Sequence, residues 1–148
     1  MKAELNINTS RVIKDLQYRL KNFNAKTTLN VGFFEESRYD NGSYVADVAR
    51  YNEFGTLDIP PRPFFRKAIN DNSSKWLDFL ARDLAQTENI ELSYNRLGEI
   101  ARGDIVKSIN QTNSPPNAPS TIKAKGSSKP LVDTGFLRAN VTFKVVKK

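Results

Sequence analysis

The 148-residue chain contains neither cysteine nor histidine. That removes thiolate nucleophiles, imidazole bases, disulfides, Cys/His zinc sites and every Ser-His-Asp or Cys-His arrangement. Carboxylates, hydroxyls, lysines and arginines are the only chemistry left, and the sequence predicts no metal site and no cofactor. Long hydrophobic runs are also missing. No apolar stretch approaches the roughly 18 to 20 residues that cross a bilayer, and residues 1–10 have no hydrophobic signal segment. The expectation is a chain made inside the cell, not exported and with no membrane contact. A domain of this length buries roughly 70% of the surface its unfolded form exposes, so one domain over 1–148 can hold a core without cross-links.

What the sequence has is positive charge, unevenly placed. Of the 23 Lys and Arg and 16 Asp and Glu, residues 1–114 hold 16 basic and 15 acidic side chains. Residues 115–148 hold seven basic side chains, namely Lys123, Lys125, Lys129, Arg138, Lys144, Lys147 and Lys148, against Asp133 alone. A local positive field of this kind suits a polyanion, an acidic protein surface or a solvated tail.

Hydrophobic spacing predicts the elements. Val12, Ile13, Leu16, Leu20 and Phe23 line one face of a first helix, with Thr9 or Ser10 as its cap. Leu29, Val31 and Phe33 alternate as a half-buried strand, Glu35 to Gly42 reads as an exposed loop, and Ser43 caps a short helix that Gly55 ends. Pro60 and Pro61 keep the next segment extended, and Pro63 fits the first turn of a long helix running to about Gln86. That helix spans roughly 36 Å, with a weak patch at Asn70 to Ser74 where a kink is expected. A further helix carries Ile90, Tyr94, Leu97, Ala101, Ile105 and Ile109 on one face, weakened by Gly98 and Gly103 at about 1 kcal/mol each.

Residues 111–135 form an extended basic loop with four prolines, which fully stretched could project on the order of 40 Å. One helical turn is expected at Pro119 to Ala124. Asp133 can cap a short helix from Thr134 to Ala139, after which Val141, Phe143 and Val145 alternate as a closing strand. The fold class is α+β: a small mixed or antiparallel sheet packed with several helices, and one long projecting loop.

Four motifs invite a chemical reading. Leu131-Val-Asp-Thr-Gly135 has the form of an aspartic-protease loop, yet Phe136 stands where a small residue is required, and the motif comes 13 residues from the end of a largely helical chain. An Asp helix cap before a tight turn explains it better. Lys125-Gly-Ser-Ser-Lys129 lacks the spacing and preceding strand of a phosphate loop. Glu35-Glu36 reads as a solvated loop. Ile59-Pro-Pro-Arg-Pro-Phe-Phe65 looks like a Pro-rich ligand, but its adjacent Phe64 and Phe65 point to anchoring in a core or in a neighbouring subunit.

In combination, Val48-Ala-Arg-Tyr-Asn-Glu-Phe-Gly-Thr56, Ile59-Pro-Pro-Arg-Pro-Phe-Phe-Arg66, Gly103-Asp-Ile-Val-Lys-Ser-Ile109, Pro116-Asn-Ala-Pro-Ser-Thr-Ile122 and Lys129-Pro-Leu-Val-Asp-Thr-Gly-Phe-Leu-Arg138 resemble the neck and tail-component proteins of tailed bacteriophages. The resemblance runs in order from about Val31 to Val145, with 70–92 undistinctive. It implies a non-enzymatic virion protein: a tail-completion or tail-terminator subunit that forms a ring, a hexamer by the sixfold symmetry of tails, at the head-tail junction. The implied partners are further copies of itself, the tail tube and the head-closure (connector) proteins, with host cytoplasm as the place of assembly.

A ring needs one patch to fit a different patch on the next subunit. The corner Pro61, Arg62, Pro63, Phe64 and Phe65, together with Ile122, Leu131 and Val132, supplies the expected subunit interface. Lys123, Lys125 and Lys129 are expected to face an acidic neighbour or DNA phosphates in the channel, without sequence readout. The alternatives from other classes are a basic nucleic-acid-binding domain and, third, an aspartic-protease-like enzyme on Asp133-Thr134-Gly135.

Overall fold

The computed structural model describes residues 26–131 and 135–147, together with Lys14. The expected first helix and the residues Val132, Asp133 and Thr134 lie outside the described residues. Within them the order is β1 (Thr27–Gly32), α1 (Val45–Phe54), α2 (Phe64–Thr87), α3 (Ile90–Gln111), α4 (Pro119–Lys125), α5 (Phe136–Ala139) and β2 (Thr142–Lys147), an α+β fold. No helix among the described residues is long and apolar enough to cross a membrane.

β1 and β2 form a two-stranded antiparallel sheet, with Leu29 opposite Val145 and Val31 opposite Phe143. Opposed residues share a face, so these four side chains make one apolar stripe. α3 packs against both strands and along the whole of α2. The close approach depends on Gly98, where a Cβ would stand 2.3 Å from the Phe143 ring. The glycine that weakens the helix locally is therefore what lets the sheet lie on it.

The core gathers Val45 and Ala49 of α1, Phe64 and Ala68 of α2, Ile105 and Ile109 of α3, Leu137 of α5, and Val141 just ahead of β2. Phe33, expected on the strand, lies beyond the end of β1 but still packs on this core and meets Phe64 edge-on at 6.2 Å between ring centroids.

α2 runs without interruption through Asn70 to Ser74, so the weak patch does not break the helix. Within the weak patch Asn72 donates to the Ala68 carbonyl, and just past it the Trp76 indole donates to Asp104 on α3 at 2.8 Å. The helix ends at Glu88 in the left-handed conformation, and Asn89 restarts the chain by accepting from the Leu92 amide at 3.0 Å. At this hairpin tip the buried Asp83 accepts from the Ser93 hydroxyl at 2.7 Å and from Arg96 at 2.8 Å. The Ser93 hydroxyl, with Arg96 behind it, holds the Asp83 carboxyl below its ordinary range against the opposing effect of burial.

Ser43 does not cap α1. The N-cap residue is Tyr44, with no side-chain cap bond, because Ser43 closes the preceding turn: its carbonyl accepts from the Tyr39 amide and its amide donates to Asn41. Pro63 sits at the N-cap of α2, one residue ahead of its first turn.

Candidate subunit interface

The Pro-rich corner is built by two adjacent residues at the end of α1. Asn52 and Glu53 lie on the last turn, where Gly55 stops the helix at φ 78°. A Cβ at Gly55 would meet the Ile59 carbonyl at 2.9 Å and the Pro61 nitrogen at 3.0 Å, so the chain reverses there only with glycine. The Arg62 amide then donates back to the Asn52 carbonyl at 2.6 Å, closing the loop 52–62 on itself. Inside that loop Thr56 organises a tight turn: its amide donates to the Ile59 carbonyl, and its hydroxyl accepts from the amides of Asp58 and Ile59.

Glu53, only 5% exposed, caps α2 from outside its own segment. Its carboxylate accepts from the Phe65 amide at 2.8 Å, the Arg66 amide at 3.1 Å and the Arg66 guanidinium at 2.8 Å. The first amides of a helix have no intrahelical acceptor and carry partial positive charge, so a carboxylate there satisfies donors and complements the dipole together. Ser108 of α3 completes the corner by donating to the Phe64 carbonyl at 2.7 Å.

Arg62 and Phe64, both expected at a subunit interface, are buried within the chain itself. Arg62 is 5% exposed and Phe64 1%. Phe64 fills the core, the other role open to it. The Arg62 guanidinium reaches across to the basic segment, donating to the Pro115 carbonyl at 2.8 Å, the Pro116 carbonyl at 3.0 Å and the Asn52 side chain at 3.1 Å. Burial pushes its pKa down from the ordinary value, although an arginine stays charged in a protein. An arginine suits this task because its planar fork serves several carbonyls at once.

These ties shape 111–131. Beyond the Arg62 clamp, Asn117 donates to the carbonyls of Ser127 and Lys129 at 3.3 and 3.2 Å, so the segment turns back on itself around α4. It does not run out and back as an extended strand, and its reach is shorter than the stretched estimate. α4 begins at Pro119 and ends at Gly126 in the left-handed conformation.

Among the other expected interface residues, Pro61 and Pro63 are exposed, whereas Phe65, Ile122 and Leu131 are half-buried, with Phe65 and Leu131 packed on the core. Lys123, Lys125 and Lys129 are all exposed. Of the protease-like motif Leu131 and Gly135 are described, and Gly135, at φ 77°, is the N-cap of α5.

Two concave surfaces flank the corner. One cavity of about 480 Å³ opens between the 39–41 turn, α1 and the basic segment. Val48, Leu131, Phe136 and Leu137 give it an apolar floor, and Asn52, Asn117, Lys125 and Lys129 stand among its polar walls, with Asp40 as its one carboxylate among the described residues. The second, a groove of about 390 Å³, runs beside β1 and is lined by Val31, Phe33, Phe34, Phe54 and Phe65, with Arg50 and Arg66 alongside. Around the end of α1 the chain exposes apolar side chains singly: Tyr51, Phe54 at 63% and Leu57 at 105%. Sequence reasoning missed Leu57 and Phe54 because neither fits a helical or strand period. The signal was the tight Gly-Thr turn around a lone leucine.

No group of three or more Asp or Glu that could hold a metal ion occurs among the described residues. No family model, curated protein or solved structure matches the chain.

Proposed function

We propose that this chain is a structural virion protein of a tailed bacteriophage, a tail-completion or tail-terminator subunit that assembles into a ring at the head-tail junction. One observation carries the reading: the five sequence motifs that suggest it are bound to one another in the fold. Asn52 and Glu53 of the first motif hold Arg62, Phe65 and Arg66 of the second. Ser108 of the third bonds Phe64 of the second, Arg62 bonds Pro116 at the start of the fourth, and Asn117 of the fourth bonds Lys129 of the fifth. The motifs thus describe one mechanical unit, a stiff corner that fixes a basic segment to the helical body.

In the ring, the neighbours would be other copies, the tail tube and the head-closure proteins. Lys123 and Lys129, whose side chains make no bond, suit an acidic ring surface or DNA phosphates passing through the channel. Apolar side chains standing out around the end of α1 suit burial between subunits. The test is genetic complementation. A phage with this gene interrupted should accumulate filled heads and free tails that purified protein joins into infectious particles. Normal particles from the interrupted gene would overturn the proposal.

A further inference from the structure

We infer that the turn at Leu57 and Asp58 of one copy seats in the basic-rimmed cavity of the next, forming the head-to-tail contact of the assembly; the inference rests on the ring reading above. Leu57 is fully solvent-exposed at the tip of a loop whose ends are tied by Arg62 and Asn52 and whose turn is fixed by three bonds to Thr56. A rigid loop that presents a bare leucine loses little conformational entropy when the leucine is buried. Beside it the exposed Asp58 carboxylate makes no hydrogen bond or ion pair among the described residues.

The cavity offers the complement. Its floor is apolar through Val48, Leu131 and Phe136, which suits the leucine side chain. Among the described residues its rim carries Lys125 and Lys129 against one carboxylate, that of Asp40, and the Lys129 amine has no partner there. Arg62, buried behind Asn52, adds a positive charge whose bonds go to neutral acceptors. An acid next to an exposed apolar knob therefore meets a basic rim around an apolar hole. The knob cannot be filling its own copy's cavity, since Leu57 is bare. It stands past the C-terminal end of α1, whereas the cavity extends to the 39–41 turn before the N-terminal end. Two different patches in contact repeat around a ring, each copy giving one and taking one.

The absence of cysteine makes the contact directly testable. Leu57→Cys protein mixed with Asp40→Cys protein at high concentration under mild oxidation should give a disulfide-linked heterodimer, because a bond forms only when Cβ atoms come within about 3.5–4.5 Å. The same partner mixed with Ser74→Cys protein, on the exposed side of α2, sets the background. Asn41→Cys serves as a second cavity-rim probe should Asp40→Cys fold poorly by circular dichroism. Lys129→Glu in the cavity-side copy should lower the yield about tenfold, and Asp58→Lys in the knob-side copy should restore it. Yields at background from both rim probes, or no restoration by the charge swap, would overturn the inference. Cross-linking reads the contact alone. Its failure beside successful complementation would leave the ring reading intact with another interface, and its success beside failed complementation would show a self-assembling chain with a different role.

Discussion

Replacing Gly98 and Gly103 by alanine, one at a time, separates local helix propensity from packing. Both glycines lie inside α3, and in an isolated helix each change should stabilise by about 1 kcal/mol. At Gly103 a Cβ meets nothing within 4 Å, so Gly103→Ala should keep most of that gain, about 0.5 to 1 kcal/mol. At Gly98 the Cβ would lie 2.3 Å from Cδ2, 2.5 Å from Cγ and 2.7 Å from Cε2 of Phe143. Ordinary contact begins near 3.4 Å, so the ring must retreat by about 1 Å. Because Cγ is at the root of the ring, the strand must move with it. Overpacking of this kind costs about 1 to 3 kcal/mol. With the backbone involved we take the upper half of that range, which leaves Gly98→Ala destabilised by about 1 to 2 kcal/mol after the helix gain. For a chain of this size that corresponds to a melting temperature lower by about 3 to 6 °C, against a rise of about 2 °C for Gly103→Ala. Phe143→Val should relieve the clash, so the double variant Gly98→Ala/Phe143→Val should be more stable than the sum of the two single changes. Thermal melts and urea titrations check this. Equal stabilisation by both alanines, or additivity in the cycle, would refute the packing of β2 on α3.

Further expectations concern the corner and the hairpin tip. Phe64→Ala should cost about 3 to 5 kcal/mol in urea unfolding, the range for a fully buried ring. Arg62→Lys keeps the charge but cannot serve three acceptors in the same fork, and should raise proteolytic cleavage within 113–129 more than it lowers the melting temperature. Proteolysis unchanged from the parent would remove the clamp from the argument. Asp83 has a folded-state pKa below its unfolded one, so its contribution is fully present above the unfolded value and is lost as pH falls through the folded value. Melting temperature should therefore drop on acidification below about pH 4, and Asp83→Asn should flatten that part of the profile while lowering stability at neutral pH.

What the sequence revealed was what local patterning controls. The 3.6-residue spacing in α2 and α3 appears where expected, as does the strand alternation except that Phe33 and Val141 fall just outside β1 and β2, and Pro119 and Gly126 bracket α4 as proline and glycine do at helix ends. A boundary went astray where a residue had two local uses: Ser43 offered a cap but its backbone closes the turn from Tyr39. Past the Asn70 to Ser74 patch, Lys75 and Trp76 are tied to Asp104 on another helix, a contact no local pattern announces.

The prolines mark the corner in the sequence, yet its internal chemistry is hidden there. Arg62 acts on carbonyls 53 and 54 residues away, Glu53 caps a helix that begins 11 residues later, and Gly98 answers to a phenylalanine in the last strand. An Arg between two prolines looks like surface in a linear reading. Only the return of the 115–117 segment makes it interior. The same long-range closure turned a loop expected to project into one wall of a cavity.

A reconstruction of the head-tail junction in intact particles is the decisive measurement. The ring reading predicts a closed ring of density around the DNA channel that accommodates the α2–α3 hairpin in each subunit, with the 55–59 turn of each copy against the 125–131 segment of its neighbour. A junction whose every ring is accounted for by other chains would contradict it.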